Sequence, residues 1–352
     1  MGRECGYPRR EFLRRVAAGA AGVAVGVTSG CPAGSGDEAG AEVAPAAAGP
    51  ASADAPTGPG PKVVMATHSK ATLEGEVQPE AVEKLVDAVV VGLTGERDAQ
   101  AAWNKLFSSD ESVGVKVNGL GGPFISTSRH LTAAVVARLL QVGVQAERIT
   151  IWDQNPEFLK NCGLTADSKE WGTNIVPVGI EWTDAPVEAG KFRGRITAIV
   201  TKHVDCFVSL PIMKDHGLSG VTLALKQHYG THENPWDHHD NNCDPYIADL
   251  NTIPSIRDKQ RLILCDATRA VCQDGPGFNP DYLWHPNMLM AAVDPVAHDT
   301  IGAQFIEARR KEVGLPTLAE AGRPFKHIAS AAQRGLGIDD PAQITVERLE
   351  LG

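Results

Sequence analysis

No Cys-x-x-Cys pair occurs in the 352 residues; the seven cysteines stand singly at Cys5, Cys31, Cys162, Cys206, Cys243, Cys265 and Cys272. That spacing excludes a zinc ribbon or a thiolate-bound iron–sulfur cluster, both of which need closely spaced sulfur ligands. Basic excess is also missing. Lys and Arg number 33 against 43 Asp and Glu, a formal net charge of −10, and binding to a phosphate backbone needs a basic face, so no nucleic-acid partner is expected. No run after residue 31 approaches the roughly 18–20 apolar residues of a membrane span. Neither G-x-G-x-x-G, nor the P-loop pattern, nor H-E-x-x-H is present, so a dinucleotide fingerprint, a nucleotide P-loop and a single-helix zinc motif are all excluded.

What the N-terminus holds is a targeting pattern. Arg9-Arg10-Glu11-Phe12-Leu13 precedes the weakly apolar stretch RRVAAGAAGVAVGV, the order of a twin-arginine export signal over residues 1–31. Thr28-Ser29-Gly30-Cys31 places small residues before a cysteine, as at a lipoprotein cleavage site, although Thr28 stands where an aliphatic residue is usual. Lipidation of Cys31, giving a peripheral membrane tether, is therefore left open beside simple release. Both readings put the protein in the periplasm or another extracytoplasmic space. Residues 32–61 are nearly all Ala, Gly, Pro, Ser and acid, with one Val and no aromatic. Such a segment cannot bury enough surface to offset its ordering entropy, and a disordered tether is expected.

From Lys62 the pattern alternates between short apolar runs and helical periodicity. KVVMATH (62–68), SVGVKVN (112–118), RITIWD (148–153), ITAIVTK (196–202), VDCFVSLPI (204–212), QRLILCD (260–266) and MLMAAVD (288–294) read as strands, with the polar-alternating QITVERLEL closing the chain. Helices are expected after Pro79, after Ser126-Thr127 with a stop at Gly143, over 295–311 and over 324–334. Alternation of this kind predicts one α/β domain over 62–352, a mostly parallel sheet with helices on both faces and irregular insertions.

The strand ends carry the chemistry. Lys116, Asn118, Asp153, Lys214, His216, Asp266 and Asp294 all follow or close apolar runs. In an open parallel sheet such ends share one edge, where ligands bind. Asp294 before Pro295, and Asp153, also fit ordinary helix caps and turns. Lys116 does not, because apolar residues flank it. Gly119, Gly121 and Gly122 in NGLGGPF lead toward a helix start and form a possible anion cradle. Residues 210–240, LPIMKDHGLSGVTLALKQHYGTHENPWDHHD, hold five histidines. A metal here would draw His216, His228, His238 and His239 from separate loops, with zinc, iron, manganese or copper suited to such ligands. The competing arrangement is a small anion held by Lys116, Lys214 and Lys226 with a histidine as acid and base. Cys206 and Cys265 read as buried thiols, whereas Cys243 and Cys272 flank polar loops and could form a disulfide.

Three stretches, VGVKVNGLGG (113–122), LPIMKDHGLSGVTLALKQHYGT (210–231) and MAAVDPVAHDTIG (290–302), resemble the domain of unknown function 362 family in content and order. The resemblance implies that Lys116, Asn118, Lys214, His216, Gly220, Lys226, Gly230 and Asp294 occupy motif positions, with His298 where an aliphatic residue is usual. Some members carry a ferredoxin-like Cys-x-x-Cys-x-x-Cys segment. This chain lacks it, so no iron–sulfur cluster is expected. The resulting expectation is an exported enzyme whose cleft is lined by Lys116, Lys214, His216, Lys226 and His228 and takes a small anion, with a transition metal left open. Asn118, the three glycines and Asp294 would assist binding. The rivals are a metal- or ligand-binding protein without catalysis, and an assembly factor for an exported redox complex.

Overall fold

Eleven strands of one sheet organise the chain in a computed structural model that describes residues 60–352. They are β1 (Lys62–Thr67), β2 (Val113–Lys116), β3 (Ile149–Asp153), β4 (Asn174–Pro177), β5 (Cys206–Ser209), β6 (Ile212–His216), β7 (Gly220–Val221), β8 (Gln260–Val271), β9 (Leu283–Trp284), β10 (Met288–Ala292) and β11 (Thr345–Glu350). The main path runs β11-β1-β10-β8-β5-β2-β3-β4, while β6 pairs with β7 and β8, and β9 with β8. Along that path every pairing is parallel except the two made by β10. The fold is thus α/β with a mostly parallel sheet, as the alternation of runs predicts. The twin-arginine pair, Cys31 and nearly all of the expected tether lie outside the described residues.

Apolar strands bury both faces. On β1, Val63 and Met65 point to one core cluster and Val64 and Ala66 to the other, the period-2 alternation of a doubly covered strand. Helices α1 (Pro79–Thr94), α2 (Ala99–Leu106) and α3 (Arg129–Val142) cover the second face. Helices α4 (Leu223–Gln227), α5 (Tyr246–Asn251), α6 (Pro295–Glu312) and α7 (Lys326–Gln333) cover the first. Local chemistry sets the ends. Pro79 opens α1 and left-handed Gly95 closes it. Ser128 caps α3 by accepting from the His130 and Leu131 N–H groups, and Gly143 ends it at φ 101°, where a side chain would be strained. No helix of the described residues is long and apolar enough to cross a membrane.

Several expectations change. ITAIVTK is not a strand; Ile199–His203 form a π-helical turn. VDCFVSLPI divides into β5 and β6 at Leu210-Pro211, because the missing proline N–H cannot continue the ladder. β8 runs past Asp266 to Val271, so Asp266 lies within a strand instead of ending one. Its carboxylate accepts from the Ser128 N–H at 2.8 Å and from the Thr268 N–H and hydroxyl at 3.0 and 2.7 Å. Cys243 and Cys272 are free thiols, like the other three cysteines of the described residues, and all five are buried. Asp294 lies on the opposite edge from Lys116, because β10 runs antiparallel and its Ala292 end pairs with Val63 and Ile263 near the starts of β1 and β8.

Packing of the central strands leaves no room at Gly114, where a Cβ would stand 2.5 Å from the Trp152 ring and 3.0 Å from the Phe207 Cβ. Gly114→Ala should destabilise the fold by about 1–3 kcal/mol through overpacking, read as a lowered midpoint in urea unfolding with an unchanged slope.

Candidate functional site

The C-terminal ends of β2, β3 and β6 do meet, and their polar groups satisfy one another. Lys116, 1% exposed, points its amine at Asp153 Oδ1 (2.6 Å) and the Val117 carbonyl (2.6 Å). Asp153 also accepts from the Gly119 N–H (2.7 Å) and the Gln154 N–H (2.8 Å). Buried charge is tolerated because a partner and two further donors surround the carboxylate. Gln227 joins this pair to the next: its Nε2 donates to the Lys116 carbonyl (3.1 Å), and its Oε1 accepts from Asn118 Nδ2 (2.9 Å). The Asn118 Oδ1 accepts in turn from Lys214 Nζ (2.9 Å). Lys214 also donates to the carbonyls of Leu120 and, at 3.4 Å, Ile125. Three carbonyl-type acceptors match the three hydrogens of its ammonium, while burial pulls its pKa down to about 7.

The expected anion cradle is filled by the protein's own carboxylates. Gly119 N–H goes to Asp153, Ser128 N–H to Asp266, and the Leu120 carbonyl faces inward to Lys214. Gly121 and Gly122 serve the turn, at φ 116° and 93°. Asp294 caps α6 by accepting from the Val296 and Ala297 N–H groups (both 2.8 Å) and takes the Ile338 N–H at 3.0 Å. It borders a cavity of about 500 Å³ on its edge, beside Lys62 and Gln260. The charged groups that line it already have partners: Lys62 the Gly92 carbonyl and Glu347, Arg257 the Asp258 carboxylate, and Asp294 the backbone N–H groups.

A second cluster gathers around Lys226, the residue before Gln227 in α4. Strand alternation puts Lys214 and His216 on one side of β6 and Asp215 on the other. Asp215 accepts from Arg323 and from the Gly275 N–H. His216 Nδ1 accepts from the Leu218 and Ser219 N–H groups (3.1 and 3.2 Å), which places its proton on Nε2. Its ring stacks toward His239 with centroids 6.1 Å apart. Lys226 sits beside them. Its amine lies 3.7 Å from the centre of the Tyr229 ring and 3.5 Å from His239 Nε2. Trp236, half exposed, also stacks with the His239 ring. Burial lowers the Lys226 pKa to about 8. Burial, with the Lys226 charge second, holds His239 and His327 at about 3 and His216 well below its ordinary value.

Five cations are buried among the described residues: Lys116, Lys214, Lys226, Arg310 and Arg323. Lys116 and Arg323 have carboxylates, Lys214 and Arg310 have carbonyl oxygens. Lys226 is the one with no oxygen acceptor; an imidazole nitrogen and a ring face are its partners. Around it, both ring nitrogens of His232 and His327 and the Nδ1 atoms of His238 and His239 make no hydrogen bond although buried. The backbone that presents Lys226 is held firmly. Leu223 has φ 41°, rare for such a residue, and the carboxylate of Asp299 accepts from the Ala224 and Leu225 N–H groups (2.8 and 2.9 Å). His298 joins Asp299 through Nδ1 at 2.7 Å. Asn251 donates to the Leu225 carbonyl at 2.9 Å.

The structure therefore separates the expected residues. Lys116, Asn118 and Lys214 form one internal network; His216, Lys226 and His239 form another. His228 is apart, with Nε2 2.8 Å from Gln260 Oε1 and its ring edge-on to Phe207. His238 stands against His232 and Phe192. Among the described residues no three His, Cys, Asp or Glu side chains are grouped to hold a metal ion, so the four-histidine ligand set is not assembled. Gln227, Tyr229 and His327 are neighbours of these networks that spacing does not reveal, whereas Asp153 and His232 stand in stretches that the strand ends and the histidine run already mark. Only the ligand-type density of residues 226–239 points toward part of this group.

A family model described as a domain of unknown function, DUF362, matches residues 113–304. No curated protein matches. A crystal structure of a Thermotoga maritima protein, Northeast Structural Genomics Consortium target VR152, is similar at 10% identity and TM-score 0.42, over 68% of this chain and 61% of that one.

Two outcomes follow from the network. Asp153→Ala, which strands the Lys116 charge, should cost about 3–5 kcal/mol in denaturant unfolding. Lys214 binds its proton less readily folded than unfolded, so its burial penalty is complete below about pH 7 and vanishes above the unfolded value. Stability should therefore rise across that window, by at most about 1.4 kcal/mol per pH unit from this group, and Lys214→Met should remove that part of the slope.

Proposed function

The chain belongs to the domain of unknown function 362 family, whose description names no reaction, and we propose from the site itself that it is an enzyme for a small anionic substrate. The observation that carries this reading is the Lys226 amine, 5% exposed and without an oxygen acceptor. A buried ammonium without an anion costs several kcal/mol; a bound carboxylate or phosphate would supply the missing charge and acceptors. The surrounding imidazoles supply what simple capture does not need, namely groups that can give and take protons. Lys116 and Lys214 act in this reading as the internal frame, since their donors are already satisfied. The Arg9-Arg10 pair supports a site of action outside the cytoplasm.

Calorimetric titration of the full chain with small carboxylates and inorganic phosphate tests the proposal. At least one should bind, with affinity falling by about tenfold per pH unit above about 8 as the ammonium deprotonates. Lys226→Met should weaken that anion roughly 10- to 100-fold, the worth of a charge-assisted hydrogen bond. Binding unaffected by Lys226→Met, or no binding of any anion, would overturn it.

A further inference from the structure

We propose that Lys226 is an imine-forming nucleophile, and that the anion it takes is a small 2-oxo acid whose carbonyl carbon it attacks. This rests on the anion reading above and adds a covalent step to it. Three features of the amine carry the inference. It has no carboxylate to hold it as an ammonium, unlike Lys116 with Asp153. It lies against the face of Tyr229 at 3.7 Å, a surface that accepts a cation weakly and does not compete for the nitrogen lone pair once the proton has left. Its near polar neighbour, His239 Nε2 at 3.5 Å, is a proton carrier. A lysine desolvated in this way is the usual means of making an amine nucleophilic at neutral pH.

The step balances without an oxidant or reductant. The Nζ lone pair adds to the carbonyl carbon, and the carbonyl π pair moves to oxygen. Nitrogen releases one proton and oxygen takes one, leaving a carbinolamine. Protonation of the hydroxyl lets it depart as water while the nitrogen pair closes C=N. Amine, carbonyl compound and one proton thus become an iminium and one water, and His239 is placed to shuttle the protons. A 2-oxo acid suits the site better than a plain aldehyde. Its carboxylate stays beside the iminium, so the positive charge that the protein leaves uncompensated is matched within the adduct. The hydrogen-bond-free ring nitrogens of His232 and His327 and the Nδ1 atom of His239 are the donors and acceptors that the carboxylate and the departing water would use.

Glyoxylate with sodium borohydride, added to the full chain, is the direct test, followed by peptide mapping. The expected result is a reduced adduct on Lys226 that forms at least about tenfold faster than on exposed Lys160 or Lys311, is suppressed by oxalate, and is lost in Lys226→Arg. Arginine keeps the charge and the stem but not the nucleophile, and matched melting curves establish that this variant is folded. Binding of oxalate and glyoxylate without preferential trapping at Lys226 would overturn the imine and leave the anion site standing. Absence of binding by both would overturn this proposal, while the anion reading would then stand or fall on the remaining carboxylates and phosphate.

Discussion

The Lys116–Asp153 ion pair holds together the part of the molecule where chemistry is possible. At 2.6 Å and almost wholly buried, it locks the end of β2 to the end of β3 and ties the Gly119 turn to both through the Asp153 carboxylate. The Lys116 carbonyl then receives Gln227 from the helical segment that carries Lys226. Gly230 rests directly on the pair: a Cβ there would stand 2.8 Å from Lys116 Nζ and 3.0 Å from Asp153 Oδ1. The path of the chain from Lys226 to His232 is therefore set by a charge pair on strands more than seventy residues earlier.

Two lysines of similar burial take different roles because of their acceptors. Lys214 is surrounded by carbonyl oxygens and knits β6 to the glycine loop, a fully satisfied network of the kind that rigidifies a core. Lys226 faces an aromatic ring and imidazoles, so its charge is uncompensated and its lone pair is the more available. Asp299 and Asn251 fix the short helix at Ala224 and Leu225, and Leu223 is held in an uncommon backbone conformation at its start. Strain stored beside a desolvated amine is typical of a functional site, where surrounding structure over-determines a costly geometry.

Much of this architecture was legible in the order of residues. Period-2 and continuous apolar runs located β1, β2, β3 and β10; Pro79, Gly143 and Asp294-Pro295 marked helix ends; and the apolar flanks of Lys116 separated it from ordinary surface lysines. ITAIVTK misled because its β-branched residues suit a strand and the buried start of a π-helical turn alike. Asp294 misled because strand direction leaves no trace in a run of apolar residues, and an antiparallel β10 sends its end to the opposite edge.

The sequence by itself determined a doubly covered, mostly parallel sheet and a concentration of amines and imidazoles between residues 210 and 240, since both follow from local periodicity and residue type. Only the tertiary structure decided which of those groups are satisfied. Asp153 came to Lys116, three carbonyls came to Lys214, Gln260 came to His228, and no acid came to Lys226. Such pairings depend on distances between segments far apart in the chain, and side-chain electrostatics is settled by those distances instead of by neighbours in sequence.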